Sequence, residues 1–192
     1  MLDALTDSVW AGPLLWMILY ISDYYLTIAC ARLYRAQDKI VFEGSYEITP
    51  AFQADVNALR AISPRFILML LATTGCLFLL RNAAEGTGSR HVYAIILGAM
   101  CLVEVTVHMR HLHNLYLFGK GLDDLKGHLE YPRGLILRIS AFDILLYAAL
   151  YAALFVVTGS LFILGGAIAS STLAINHYRL ARRHEAASAK IT

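Results

Sequence analysis

The stretch Val92–Phe118, VYAIILGAMCLVEVTVHMRHLHNLYLF, decides how the rest of the chain is read. Its first half is apolar without a break, and its second half carries Glu104, His108, Arg110, His111, His113 and Asn114. At a helical rise of about 1.5 Å per residue it is long enough to cross the roughly 30 Å hydrocarbon core of a bilayer. Ionisable side chains at that depth are costly unless paired or wetted, so they mark a candidate site.

Four further apolar stretches accompany it, giving expected spans at about 9–31, 65–80, 92–118, 137–157 and 160–176. Of the 192 residues, 58% are hydrophobic and 16% charged, where a soluble domain carries about 25% charged residues. The fold class that follows is all-α: a polytopic membrane helix bundle of five transmembrane helices, one integral membrane domain over 1–192, with no separate soluble module. The lipid bilayer is the first partner. No GxGxxG or P-loop pattern supports a nucleotide site, and no nucleic-acid partner is expected. Asp3 and Asp7, with no basic residue before the first apolar stretch, do not fit a signal peptide, so that stretch is expected to be retained as span one. Cys30, Cys76 and Cys101 lack CxxC spacing and read as small core residues.

Basic residues set an expected orientation. Thirteen of the sixteen lysines and arginines follow spans one, three and five. Arg81 and Arg90 lie in the loop after span two, and Arg110 lies within span three. Basic loops stay cytoplasmic, so the N-terminus is expected outside and the C-terminus in the cytoplasm, in a multi-pass protein of a bacterial plasma (inner) membrane.

Between spans one and two runs a polar connection of about thirty residues. Within it Thr49 and Pro50 read as N-cap and first position of a short helix near 50–62. Phe52, Val56 and Leu59 give that helix one apolar face, suited to lying in the interface; a lid or partner-binding element over the site is the alternative. Span two looks like scaffold. The basic tail after span five is expected to fray at its end.

On helices at 100° per residue, Glu104, His108 and His111 share one stripe, while Arg110 and His113 point away and suit snorkelling to lipid phosphates. Tyr20, Asp23 and Thr27 share a stripe on span one, and Ser140, Asp143 and Tyr147 on span four. On span five Thr172 and Asn176 align, with His177 adjacent. With Glu104 near the middle of its span, spans one, three and four place carboxylates or histidines in the same cytoplasmic half. Hydrocarbon would not tolerate these carboxylates singly, so Asp23, Glu104, His108, His111 and Asp143 are expected to converge, with Tyr20, Thr27 and Tyr147 beside them.

Three functions compete for such a cluster. One is passage or uptake of a cation, proton or small polar solute, in a transporter or channel. A second is an intramembrane metal-dependent enzyme, with Glu104, His108 and His111 as ligands to a divalent transition metal, completed by Asp23 or Asp143. The HExxH pattern is absent, and haem held between His111 and His177 has little to support it. The third is an accessory subunit of a larger complex, its polar pairs purely structural. The fifth span adds a small-residue face, Gly166 with Ser170 and Ala167 with Ser171, which suits packing on the neighbouring span across the tight turn or a homo-oligomer contact.

Overall fold

The computed structural model describes residues 2–84 and 89–188. After a short helix α1 (Leu2–Asp7), five long helices carry the fold: α2 (Ala11–Arg35), α4 (Pro64–Ala83), α5 (Ser89–Tyr116), α6 (Arg133–Thr158) and α7 (Leu161–Ser188). All five are long and apolar enough to cross a membrane. Leu68, Leu71, Phe142, Val156 and Val157 stand exposed on the outer faces of α4 and α6, as side chains meeting lipid would. The helices overrun the expected spans, most of all α7, which continues past Asn176 through a basic segment. Hydropathy marks contact with hydrocarbon, whereas an established helix propagates through polar residues at little cost. The expected fraying of the tail concerns residues 189–192, which lie outside the described residues. The middle of the loop between α4 and α5, at 85–88, lies outside them too.

Helix α4 packs on α2, α2 on α5, α5 on α7, and α7 on α6, while α5 and α6 touch only sparsely. The α5–α7 contact is the closest approach. A Cβ at Gly98 would lie 1.8 Å from the Phe162 carbonyl oxygen, and one at Gly165 would lie 2.0 Å from that of Ile95. Only glycine lets the two backbones come so near. Gly166 is pressed on Leu102, and Ala167 and Ser170 are buried as well. The small-residue face of the fifth span is therefore covered within the chain. Its glycines meet α5.

Around this contact lies an apolar core of Trp16, Leu97, Cys101, Tyr151 and Phe162. Trp16 donates to Thr73 Oγ1 at 2.9 Å, tying α2 to α4. Helix α6 ends on Gly159, whose φ of +66° turns the chain within two residues into α7.

At the other end of the bundle the loops are ordered beyond what the sequence indicates. Strand β1 (Ile40–Phe42), after α2, pairs in parallel with β2 (Leu129–Tyr131), before α6. Three-residue strands show no readable period, so neither was expected. Lys39 Nζ adds bonds to the carbonyls of Leu122 and Leu125, at 2.5 and 3.0 Å. The short helix near 50–62 is confined to α3 (Gln53–Asn57), with Phe52 as N-cap in place of Thr49. It stops because Asp55 is claimed from beyond it: Ser63 Oγ donates to Asp55 Oδ2 at 2.5 Å, and Arg60 Nη1 to Oδ1 at 2.8 Å. The chain reverses at Leu59, φ +49°, to make those bonds. The expected apolar face is present, with Phe52, Val56 and Leu59 against Tyr24, Ile28 and Phe66.

Candidate functional site

Helix α5 is contacted by α2 on one side and by α7 and, sparsely, α6 on the other, so polar residues on more than one of its faces meet protein. On the α2 side, ligand atoms of Asp23, Glu104 and His108 lie within 4.8 Å of one another. Both ring nitrogens of His108 are engaged. Nδ1 is 2.6 Å from the Glu104 carbonyl, one turn back, and Nε2 is 2.6 Å from Ser22 Oγ. A carbonyl only accepts, so Nδ1 carries a proton. Ser22 also lies 2.9 Å from the Leu19 carbonyl, and its single hydroxyl proton can serve only one partner. If it goes to Leu19, His108 must donate from both nitrogens as an imidazolium. If it goes to His108, the ring is neutral with its Nε2 lone pair turned to Ser22. Ser22 thus reports the charge on His108. The sequence reading passed over it, because a serine beside Asp23 gives no signal of its own.

His111 does not join that trio, contrary to the expected ligand set of Glu104, His108 and His111. Three residues past His108, it reaches further along α2: Nε2 is 3.0 Å from Thr27 Oγ1 and 3.3 Å from Asp23 Oδ1. Its own carbonyl accepts from Cys30 Sγ at 3.3 Å. Asp23 replaces it in the cluster because α2 presents that carboxylate between the two imidazoles. Asp23 Oδ1 is buried and receives no hydrogen bond of good geometry. An unmet carboxylate oxygen beside a second carboxylate and an imidazole is what a cation would satisfy.

Tyr20, Asp23, Thr27, Glu104, His111 and Arg110 line a cavity of about 210 Å³. Glu47, Thr49, Phe52 and Val56, from the connection before α4, line it as well, so that segment covers the site as the lid alternative requires. Asp55 holds the cover in shape. The Ser63 hydroxyl, and after it the Arg60 guanidinium, keep its carboxyl below the usual carboxylate range.

Asp143 does not meet Asp23 or Glu104. It lies on the α6 side of Arg110, lining a cavity of about 170 Å³ with Tyr46 and Asn114, and a crevice between α5 and α6 with Tyr147. Asp143 thus stands apart from the Asp23–Glu104–His108 trio, although it shares the Tyr46 cavity with His111. Arg110 does not snorkel outward; it turns into the bundle and donates from Nη1 to the buried Ser140 Oγ at 2.8 Å. Ser140 Oγ lies 3.0 Å from His177 Nδ1, so Arg110, Ser140 and His177 form a chain across α5, α6 and α7. Tyr46 OH accepts from Asn114 at 3.1 Å, and burial holds its hydroxyl well above the usual tyrosine range.

No protein-family model, curated protein or solved structure matches the chain.

Proposed function

We propose that the chain is a five-span membrane protein with its N-terminus outside and its C-terminus in the cytoplasm, and that its intramembrane site exchanges a proton for a cation during passage or uptake. The observation that carries this reading is the convergence of Asp23, Glu104 and His108, whose two carboxylates line a cavity that the segment before α4 covers. Two carboxylates that close do not both stay charged unless a positive group lies between them; otherwise one takes up a proton. An imidazolium at His108 supplies that positive group in one state, with both ring protons bonded to the Glu104 carbonyl and Ser22. In the other state the ring gives up a proton, and a metal cation takes its place among the same three groups.

Bonds of about 2.1 Å place the ligands of one metal roughly 3–4 Å apart, so the trio would contract slightly to hold it. On the far side of the trio the apolar core around Trp16, Leu97 and Phe162 closes the bundle, which suits a carrier open to one face at a time. The bias of basic residues assigns the covered end to the cytoplasm.

Flux into proteoliposomes under an imposed pH gradient, with manganese or zinc as the cation, tests the reading. Wild type should transport in a pH-dependent way, and Glu104→Gln and His108→Ala should lower the rate by about 100-fold, since losing even an outer-shell metal partner costs about 10–100-fold. Variants that fold and transport like wild type would sink it. The orphaned Asp23 Oδ1 also suits a resident metal. Stoichiometric metal in purified protein, lost in both variants and without flux, would favour a metal site instead.

A further inference from the structure

Arg110 is in an unusual position for a charge inside a bundle. Its guanidinium has five donors, and the protein engages one, through Ser140. Among the described residues it forms no ion pair. It is the one side chain common to the cavity over Asp23, the cavity beside Tyr46 and the crevice between α5 and α6. Its other donors face these cavities, where an anion would meet them with bidentate hydrogen bonds.

The crevice shows where an anion could come from. Thr106, Met109, Arg110 and His113 of α5 line one wall, and Asp143 and Leu146 of α6 are on the other. It encloses about 320 Å³ and exists because α5 and α6 barely touch. Met109 and Leu146, both exposed, flank it on the lipid-facing surface, so it opens sideways into hydrocarbon. An apolar mouth with a guanidinium at its floor has the polarity of a lipid turned inward. We infer that Arg110 binds the phosphate or carboxylate headgroup of an anionic amphiphile that slips in from the bilayer between α5 and α6.

The groups around Arg110 fit that role. Ser140 accepts from Arg110 and has its own proton to give to His177 Nδ1, which leaves Nε2 as the protonated nitrogen of that ring. His177 on the bundle side and His113 at the crevice are further donors toward an anion. Asp143 is the opposing charge: it lines the same crevice and competes with a headgroup for Arg110.

Binding of a fluorescent phosphatidic acid to the full-length protein in neutral detergent tests this, with inorganic phosphate as competitor. Saturable binding is expected, weakened about tenfold or more in Arg110→Gln, as loss of a charge-assisted hydrogen bond implies. It should be unchanged in Arg138→Gln, weakened by Leu146→Trp, which narrows the mouth, and tightened by Asp143→Asn. Equal binding by wild type and Arg110→Gln overturns the proposal. So does competition by inorganic phosphate together with indifference to Leu146→Trp, which would mean a soluble anion arriving from the aqueous side. Should Arg110→Gln fail to fold, Leu146→Trp and Asp143→Asn decide, and weaker binding in Asp143→Asn counts against the proposal. None of these readouts depends on whether Asp23, Glu104 and His108 hold a cation.

Discussion

The two halves of the bundle treat the same helix, α5, in opposite ways. In the half that holds Gly98, α5 is pressed on α7 backbone to backbone and surrounded by Trp16, Leu97 and Phe162. In the half that holds Glu104 and Arg110, side chains hold the neighbours apart and cavities open on both sides of α5. Close backbone contact makes one half tightly packed. The other can admit ligands because the first half already fixes where its helices stand.

The largest expected effect is therefore at the tightly packed end. Gly98→Ala puts a methyl group where the Phe162 carbonyl stands, and a backbone carbonyl cannot rotate aside, so α5 and α7 must separate. The expected loss is about 3 kcal/mol or more, read as a fall in thermal midpoint in detergent. Gly75→Ala is the control. Nothing lies within 4 Å of a Cβ there, and replacing an unneeded helical glycine should be neutral or stabilise by about 0.5–1 kcal/mol. Equal effects at the two positions would show that the α5–α7 contact does not organise the bundle.

A smaller effect is expected at the cover. Asp55 has a folded-state pKa below its unfolded value, so its contribution is complete above about pH 4 and is lost as pH falls through the folded value. Asp55→Asn should cost about 1–2 kcal/mol at neutral pH, the scale of a lost charge-assisted hydrogen bond, and should flatten the acid limb of the stability curve. Hydrogen exchange over residues 53–63 should quicken while that of α5 near Gly98 stays slow. If both segments quicken together, the cover is an integral part of the bundle and not a separate lid.

The contrast between the halves also explains what could be read from the sequence. Five long helices follow from hydropathy, because burial in lipid needs only composition and length. Convergence of Asp23 with Glu104 and His108 follows from the cost of leaving carboxylates in hydrocarbon. The direction of Arg110 does not follow. A stripe drawn on α5 presumes one protein-facing side, but α5 has neighbours on two sides, so a residue pointing away from Glu104 still points inward. The same reasoning joined Asp143 to Asp23, since depth was legible and the intervening Arg110 was not. The pairing of Ile40–Phe42 with Leu129–Tyr131 unites segments almost ninety residues apart, and nothing local in either marks the other.

The smallest expected effect separates two arginines. Arg138 pairs with Glu185 on the surface near the end of α7, with both side chains substantially exposed. Water screens that pair and competes for its hydrogen bonds, so Arg138→Gln should change stability by less than about 1 kcal/mol. Arg110, whose acceptor Ser140 lies two residues beyond Arg138 on α6, forms no ion pair among the described residues. If charge pairing alone mattered, Arg138 would be the more valuable of the two and Arg110→Gln would be neutral or stabilising. If Arg110 is kept for a ligand, its replacement weakens anion binding about tenfold or more, and added anionic amphiphile raises the midpoint of wild type and of Arg138→Gln but far less that of Arg110→Gln. Thermal scans of the three proteins, with and without phosphatidic acid, distinguish these outcomes, because a ligand stabilises only the folded state that binds it.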